Sequence, residues 1–211
     1  MTREPSKEVE VFMCRCWHGV LLTVLAISLL HACRAVAADA AAGDRPKRTP
    51  DSVYVPTPDD VVAKMLEVAA VTKDDLVYDP GCGDGRIVIT AAKKYGCRGV
   101  GIELSPKLVR AARDNAVRNG VAQQVQILEE DIYAVDMSQA TVVALYLLPG
   151  MNVKLIPQLQ KLKPGARIVA HDYGFEGRVE EAEKAIAIRS KQDAVEHRIY
   201  LWTAPLQLKS P

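Results

Sequence analysis

Charge of one sign is what this sequence most conspicuously lacks. Its 27 Lys and Arg residues are balanced by 26 Asp and Glu, leaving a net charge of +1. A dedicated nucleic-acid binder usually carries a basic surplus, so that class is disfavoured. Aromatics are also scarce, at 5%. Cysteine is of little structural use: Cys14, Cys16 and Cys33 lie in or beside an N-terminal apolar region, which leaves only Cys82 and Cys97. Two cysteines are no disulfide framework, and their spacing is not that of a zinc site, so no metal is expected. There is no long membrane-spanning run either. The uncharged stretch at 16–33 is short of the roughly 20 apolar residues a span needs, and it contains His18 and His31.

That stretch nevertheless marks residues 1–37 as a signal peptide or a membrane anchor. Ala35-Val36-Ala37 supplies a small-x-small cleavage pattern. The preceding MTREPSKEVEVF is long and acidic for a signal's first region, whereas a start at Met13 gives a short basic one. Were the segment an uncleaved anchor, Arg34, Arg45, Lys47 and Arg48 would favour a cytoplasmic domain. Residues 38–53 have no periodicity and read as a linker. Residues 54–211 read as one domain, rich enough in apolar residues (49% of the chain) to fill a core.

Within that domain, strands and helices alternate. Thr57-Pro58-Asp59-Asp60 reads as a helix start, with Thr57 as a candidate cap. Strands are expected at 76–78, 98–103, 125–128, 141–147 and 166–170, with helices at 87–95, after Ser105-Pro106, and at 152–162, where Pro157 should kink or restart the helix. Such alternation implies a mostly parallel sheet with helices on both faces. The final segments, 184–189 and 197–202, read as a hairpin, adding an antiparallel strand to a seven-stranded, Rossmann-like sheet.

The chemistry concentrates in LVYDPGCGDGRIVITAAKKYGCRGVGIELSP. Gly81, Gly83 and Gly85 follow directly on a buried strand, where backbone must turn sharply and approach a ligand. Glu103 closes the next strand, 20 residues after Gly83, where a carboxylate can accept hydrogen bonds from ribose hydroxyls. The spacing is G-x-G-x-G, not the G-x-G-x-x-G of dinucleotide sites. Asp79 and Asp84 would repel a pyrophosphate. They suit S-adenosylmethionine, which has no phosphate and carries an ammonium and a sulfonium.

Together with the later acid Asp131 and the terminal hairpin, this arrangement resembles the class I S-adenosylmethionine-dependent methyltransferases over nearly all of residues 54–203. The resemblance implies that the segment from Asp79 through Gly81, Cys82 and Gly83 to Gly85 is the first cofactor motif. It also implies that Glu103 is the ribose acid, and that Asp131 and Ile132 contact the adenine. Tyr54 and Thr57 are expected to cover the cofactor from the N-terminal side. More narrowly, YVPTPDDVV, DPGCGDGRIVI, ATVVALYLLP and HRIYLW are similar to small bacterial relatives of the mitochondrial protein-lysine methyltransferases. That family modifies the c-ring protein of ATP synthase and the adenine nucleotide carrier.

The Asn/Asp-Pro-Pro-Tyr of many nitrogen methyltransferases is absent. Tyr146-Leu147-Leu148-Pro149 stands in its place, which disfavours nucleobase and glutamine acceptors. The implied acceptor is a lysine amine of a protein substrate at a membrane, with Tyr146 orienting the amine and His171 accepting a proton or closing the pocket. No nucleic-acid partner is expected. A small-molecule methyltransferase and a non-catalytic S-adenosylmethionine-binding domain are the alternative readings.

Overall fold

The apolar runs of the central expected strands, at 141–147 and 166–170, are short and nearly continuous, as a sheet covered on both faces requires. The computed structural model describes residue 49 and residues 52–209. The expected segment at 1–37 and most of the linker lie outside the described residues; Ser52 and Val53 are exposed and irregular. Among the described residues, no helix is long and apolar enough to cross a membrane.

The elements run α1 (Asp59–Val68), β1 (Leu76–Pro80), α2 (Arg86–Tyr95), β2 (Arg98–Glu103), α3 (Pro106–Arg118), β3 (Val125–Glu129), β4 (Val142–Leu145), α4 (Pro149–Leu159), β5 (Arg167–His171), β6 (Lys184–Arg189) and β7 (Glu196–Thr203). They form the expected seven-stranded sheet, in the order β3-β2-β1-β4-β5-β7-β6. β1 to β5 pair in parallel, and β7 is antiparallel to both β5 and β6.

The two faces are covered unequally. Val61, Met65, Val88, Ala92, Val109 and Ala112 bring α1, α2 and α3 onto one face, over Val77, Val142 and Val169. Among the described residues, the other face carries α4 alone, through Leu155 and Leu159, with the irregular segments that hold Ile132, Met137 and Phe175. Every residue of β4 is buried, consistent with its central place.

Three local expectations need correction. Thr57 does not cap α1: Pro58 holds the cap position without a side-chain cap bond, and the Thr57 hydroxyl instead meets His171 Nδ1 at 3.2 Å. α4 starts three residues earlier than its apolar pattern suggests, because Pro149 fits a first turn that needs no N–H donor. Pro157 sits inside α4, two residues before its end, and no second helix starts there.

The order of strands reverses between β1 and β4, which opens a crevice at their carboxyl ends. Two knots steady α1, one at this edge and one at the opposite edge of the sheet. The Asp60 carboxylate accepts from Ser190 Oγ (2.9 Å) and the Lys191 N–H (2.7 Å), in the turn between β6 and β7. At the other end Arg167 donates to the carbonyls of Ala69 and Ala70 and pairs with the buried Asp75.

Candidate active site

The loop after β1 is shaped by its backbone. The N–H groups of Gly81 and Cys82 both donate to the Ile102 carbonyl (2.7 and 3.0 Å), folding the chain back over β2. Gly81, Gly83 and Gly85 all have positive φ (81°, 57° and 80°). A Cβ on Gly83 would stand 2.0 Å from the Tyr54 ring, so Tyr54 rests directly on that residue. A Cβ on Gly85 would press on Ala112 of α3 at 3.1 Å, so this glycine serves helix packing.

Two carboxylates end their strands at this loop. Glu103 is held from both sides, with Oε2 accepting from the Gly83 N–H (3.0 Å) and Oε1 from the Ser105 N–H (2.8 Å). Those bonds orient it and leave each oxygen a lone pair for hydroxyl groups of a ligand. Asp79 is the opposite case: it is 3% exposed, and its Oδ2 has no hydrogen-bond partner in the structure. Burial above all, and then the charges of Glu103 and Asp84, push its pKa up to about 8. A buried unpaired carboxylate is costly, and a cationic ligand group at this position would relieve it.

The expected role of Asp84 changes. Its carboxylate makes a forked pair with Arg86 (3.0 and 2.8 Å), whose third nitrogen reaches the Thr57 carbonyl at 2.8 Å. Asp84 therefore brings no unbalanced charge to the loop. It fastens the chain before α1, and burial together with the Asp84 hydrogen bond pushes the Tyr54 phenol up to about 12.

Tyr54, Asp79, Arg86 and Glu103 border an open cavity of about 280 Å³. Of the candidate cofactor residues, Tyr54, Thr57, Asp79, Gly81, Glu103, Asp131 and Ile132 line it. The candidate catalytic residue Tyr146 lines it too. Asp131 accepts the Tyr133 N–H at 3.0 Å.

Four candidates do not line the cavity. The Cys82 side chain is turned into the core, where a Cβ on Gly101 would come within 2.7 Å of its sulfur. Gly83 is covered by Tyr54, and Gly85 faces α3. His171 is 1% exposed and lies behind Tyr146, the two ring centroids being 3.9 Å apart. Burial chiefly lowers its pKa to about 4, so it is neutral at physiological pH and shielded from an acceptor.

Reading from sequence missed Ile87, Leu104, Leu108, Leu147 and Met151, the apolar walls of the same cavity. For Leu104 the signal was its position, directly after the strand-end acid Glu103. The others carry the apolar pattern of their helices and strands, which does not distinguish a core position from a cavity wall.

A mostly parallel sheet with one reversed strand, a glycine loop tied to a strand-end carboxylate, and a cavity at the point where strand order reverses define a class I methyltransferase dependent on S-adenosylmethionine. The comparisons agree. The model of the ANTKMT methyltransferase domain matches residues 79–182. The protein-lysine N-methyltransferase of Saccharolobus islandicus is 43% identical over 155 residues, covering 72% of this chain and 94% of that protein. The lysine N-methyltransferases of Xenopus laevis and Homo sapiens that are named for the c-type subunit of ATP synthase are 37% and 36% identical. Both alignments cover 58% of this chain, which spans about half the length of each (54% and 52%).

Among solved structures, the RNA methyltransferase of Salinibacter ruber in complex with S-adenosyl-L-homocysteine is 44% identical. Its TM-score is 0.66, with 74% of this chain and 97% of that chain covered. The chain belongs to the class I S-adenosylmethionine-dependent methyltransferases and, within them, to the family that includes the archaeal protein-lysine N-methyltransferase.

Proposed function

We propose that this methyltransferase acts on the side-chain amine of a protein lysine. The observation that carries the proposal is the 43% identity to a protein-lysine N-methyltransferase across 94% of that protein's length. The acceptor side of the cavity supports it. Tyr146, Leu147 and Met151 stand there, in place of the planar amide clamp a nucleobase acceptor needs.

S-adenosylmethionine supplies an electrophilic methyl group on a sulfonium. Asp79 is the natural partner of its ammonium, because a cation there satisfies the orphaned Oδ2. Glu103, already oriented by two backbone N–H groups, receives the ribose hydroxyls. Asp131 and Ile132 border the adenine end, and Tyr54 and Thr57 close the cavity from the N-terminal side.

In the transfer, the lone pair of a neutral lysine amine forms the new N–C bond. The S–C bond breaks and its electrons return to sulfur, after which the amine loses its proton to water. The chain's contribution is positioning and the exclusion of water. Leu147 and Met151 desolvate the amine and favour its neutral form, and Tyr146 directs it through its hydroxyl.

The test is transfer of an isotope-labelled methyl from S-adenosylmethionine to cell protein and, separately, to cell RNA. Label on lysine by peptide mass spectrometry supports the proposal. Label confined to RNA would replace it with the reading that the 44% identical Salinibacter ruber enzyme favours. The uncharged run at 16–33, followed by Arg34, Arg45, Lys47 and Arg48, supports membrane attachment with the domain on the side where S-adenosylmethionine is made. Recovery of the native chain in the soluble fraction would refute that attachment.

A further inference from the structure

Behind the cavity wall, β5 and β7 bring together three side chains that are distant in sequence. His171 and Asp172 stand at the end of β5 and His197 near the start of β7, next to one another because His171 pairs with Ile199. His171 Nε2 lies 2.9 Å from His197 Nδ1, Asp172 Oδ2 lies 3.0 Å from His197 Nδ1, and Asp172 Oδ2 lies 3.4 Å from His171 Nε2. All three atoms lie within 4.8 Å of one another. A tetrahedral ion with bonds of about 2.05 Å holds its donors about 3.3 Å apart, so this triangle needs to open by only a few tenths of an ångström.

The surroundings point the same way. Ligating histidines characteristically donate their second ring N–H to a fixed acceptor. Here both have one: His171 Nδ1 meets Thr57 Oγ1 at 3.2 Å, and His197 Nε2 meets Asp193 Oδ2 at 3.0 Å. Asp172 also takes a left-handed φ of 58°, unusual for a residue other than glycine, while its other oxygen accepts the Arg198 N–H at 2.8 Å. Both histidines are buried, and the side open to solvent is that of Asp172.

We propose that His171 Nε2, Asp172 Oδ2 and His197 Nδ1 bind one divalent transition-metal ion, zinc being the best fit to two imidazoles and one carboxylate. Calcium and magnesium, which prefer oxygen donors throughout, are poor fits. The ion is a staple between β5 and β7. Through the His171 ring it braces Tyr146, and through Thr57 the start of α1, without entering the cavity. Sequence reading overlooked the site because 25 residues separate Asp172 from His197 and no metal-ligand spacing links them.

The test strips the full chain with a chelator and titrates it with Zn²⁺ by calorimetry and with Co²⁺ by visible absorption. The expected result is one equivalent bound with nitrogen and oxygen ligation. Asp172→Asn and His197→Gln should each weaken binding at least about 100-fold, and Asp193→Asn about 10-fold. Zn²⁺ should raise the melting temperature of the parent chain and not that of Asp172→Asn. Asp172→Asn keeps an acceptor for Arg198 and serves as the reference should His197→Gln fail to fold. The proposal is overturned if the parent chain binds no equivalent, if Asp172→Asn binds as tightly as the parent, or if cobalt shows only thiolate charge-transfer bands, which would assign the metal to cysteine.

Discussion

The two halves of the sheet's carboxyl edge are built in opposite ways. At β1 and β2, a loop of consecutive residues turns its backbone on itself and leaves the Asp79 carboxylate buried and unpartnered. At β5 and β7, every polar group is already engaged, His171 with Thr57 and His197, and His197 with Asp172 and Asp193. The first half holds an unmet electrostatic demand that a cationic ligand satisfies. The second is a satisfied network that fixes the wall behind Tyr146. A binding edge is thus made of one electrostatically unsatisfied side and one rigid side, and the two should respond differently to mutation.

The largest contrast is expected at Asp79. Asp79→Asn should weaken S-adenosylmethionine binding by about 100-fold or more by calorimetry, since a charge-assisted contact is removed from a buried site. The same change should stabilise the ligand-free protein at alkaline pH. The folded pKa of Asp79 is raised from 3.8 to about 8, so its protonated form favours folding at acid pH and that contribution is lost as pH rises through about 8. At 1.36 kcal/mol per unit, the ceiling is on the order of 5 kcal/mol. A melting temperature of Asp79→Asn below that of the parent at about pH 9 would contradict this. In the parent protein, cofactor affinity should rise between about pH 6 and pH 8, with a proton released on binding and seen as a buffer-dependent enthalpy.

Glu103→Ala comes next. It removes a ligand contact and also strands the N–H groups of Gly83 and Ser105, so affinity should fall about 10- to 100-fold in the same titration. On the rigid side, Tyr146→Phe should leave the cofactor Kd within about twofold and lower kcat about 10-fold in single-turnover methyl transfer. Loss of cofactor affinity in this variant would erase the distinction between the two halves. The smallest effect on binding is expected at Gly85→Ala. With φ at 80° and Ala112 at 3.1 Å, it should cost about 1–2 kcal/mol of stability in denaturant unfolding while changing the cofactor Kd less than about threefold. A large Kd change there would return Gly85 to the binding surface.

The halves also differ in how far they could be read in advance. The β1 loop was legible because its parts are neighbours in the chain: glycines at alternate positions after a buried strand, and an acid closing the next strand. The strand order and the reversed final strand followed from the alternation of elements and the late hairpin. Which face each loop residue presents was not legible. Cys82, Gly83 and Gly85 turn toward core, Tyr54 and α3, and Asp84 is neutralised by Arg86. The apolar cavity walls escaped because Leu147 or Leu108 carries the same pattern whether it faces a core or a ligand.

By itself the sequence determined the class of cofactor, since the charge and spacing of Asp79, the three glycines and Glu103 are local properties that few folds could rearrange. Only the tertiary structure decided which of those residues meet the cavity, and that His171 stands behind Tyr146 instead of facing the cavity. The reason is physical: strand pairing brings His171, Asp172 and His197 within hydrogen-bonding distance through a register set by the burial of Ile168, Ile199 and Leu201, and no spacing along the chain encodes that register.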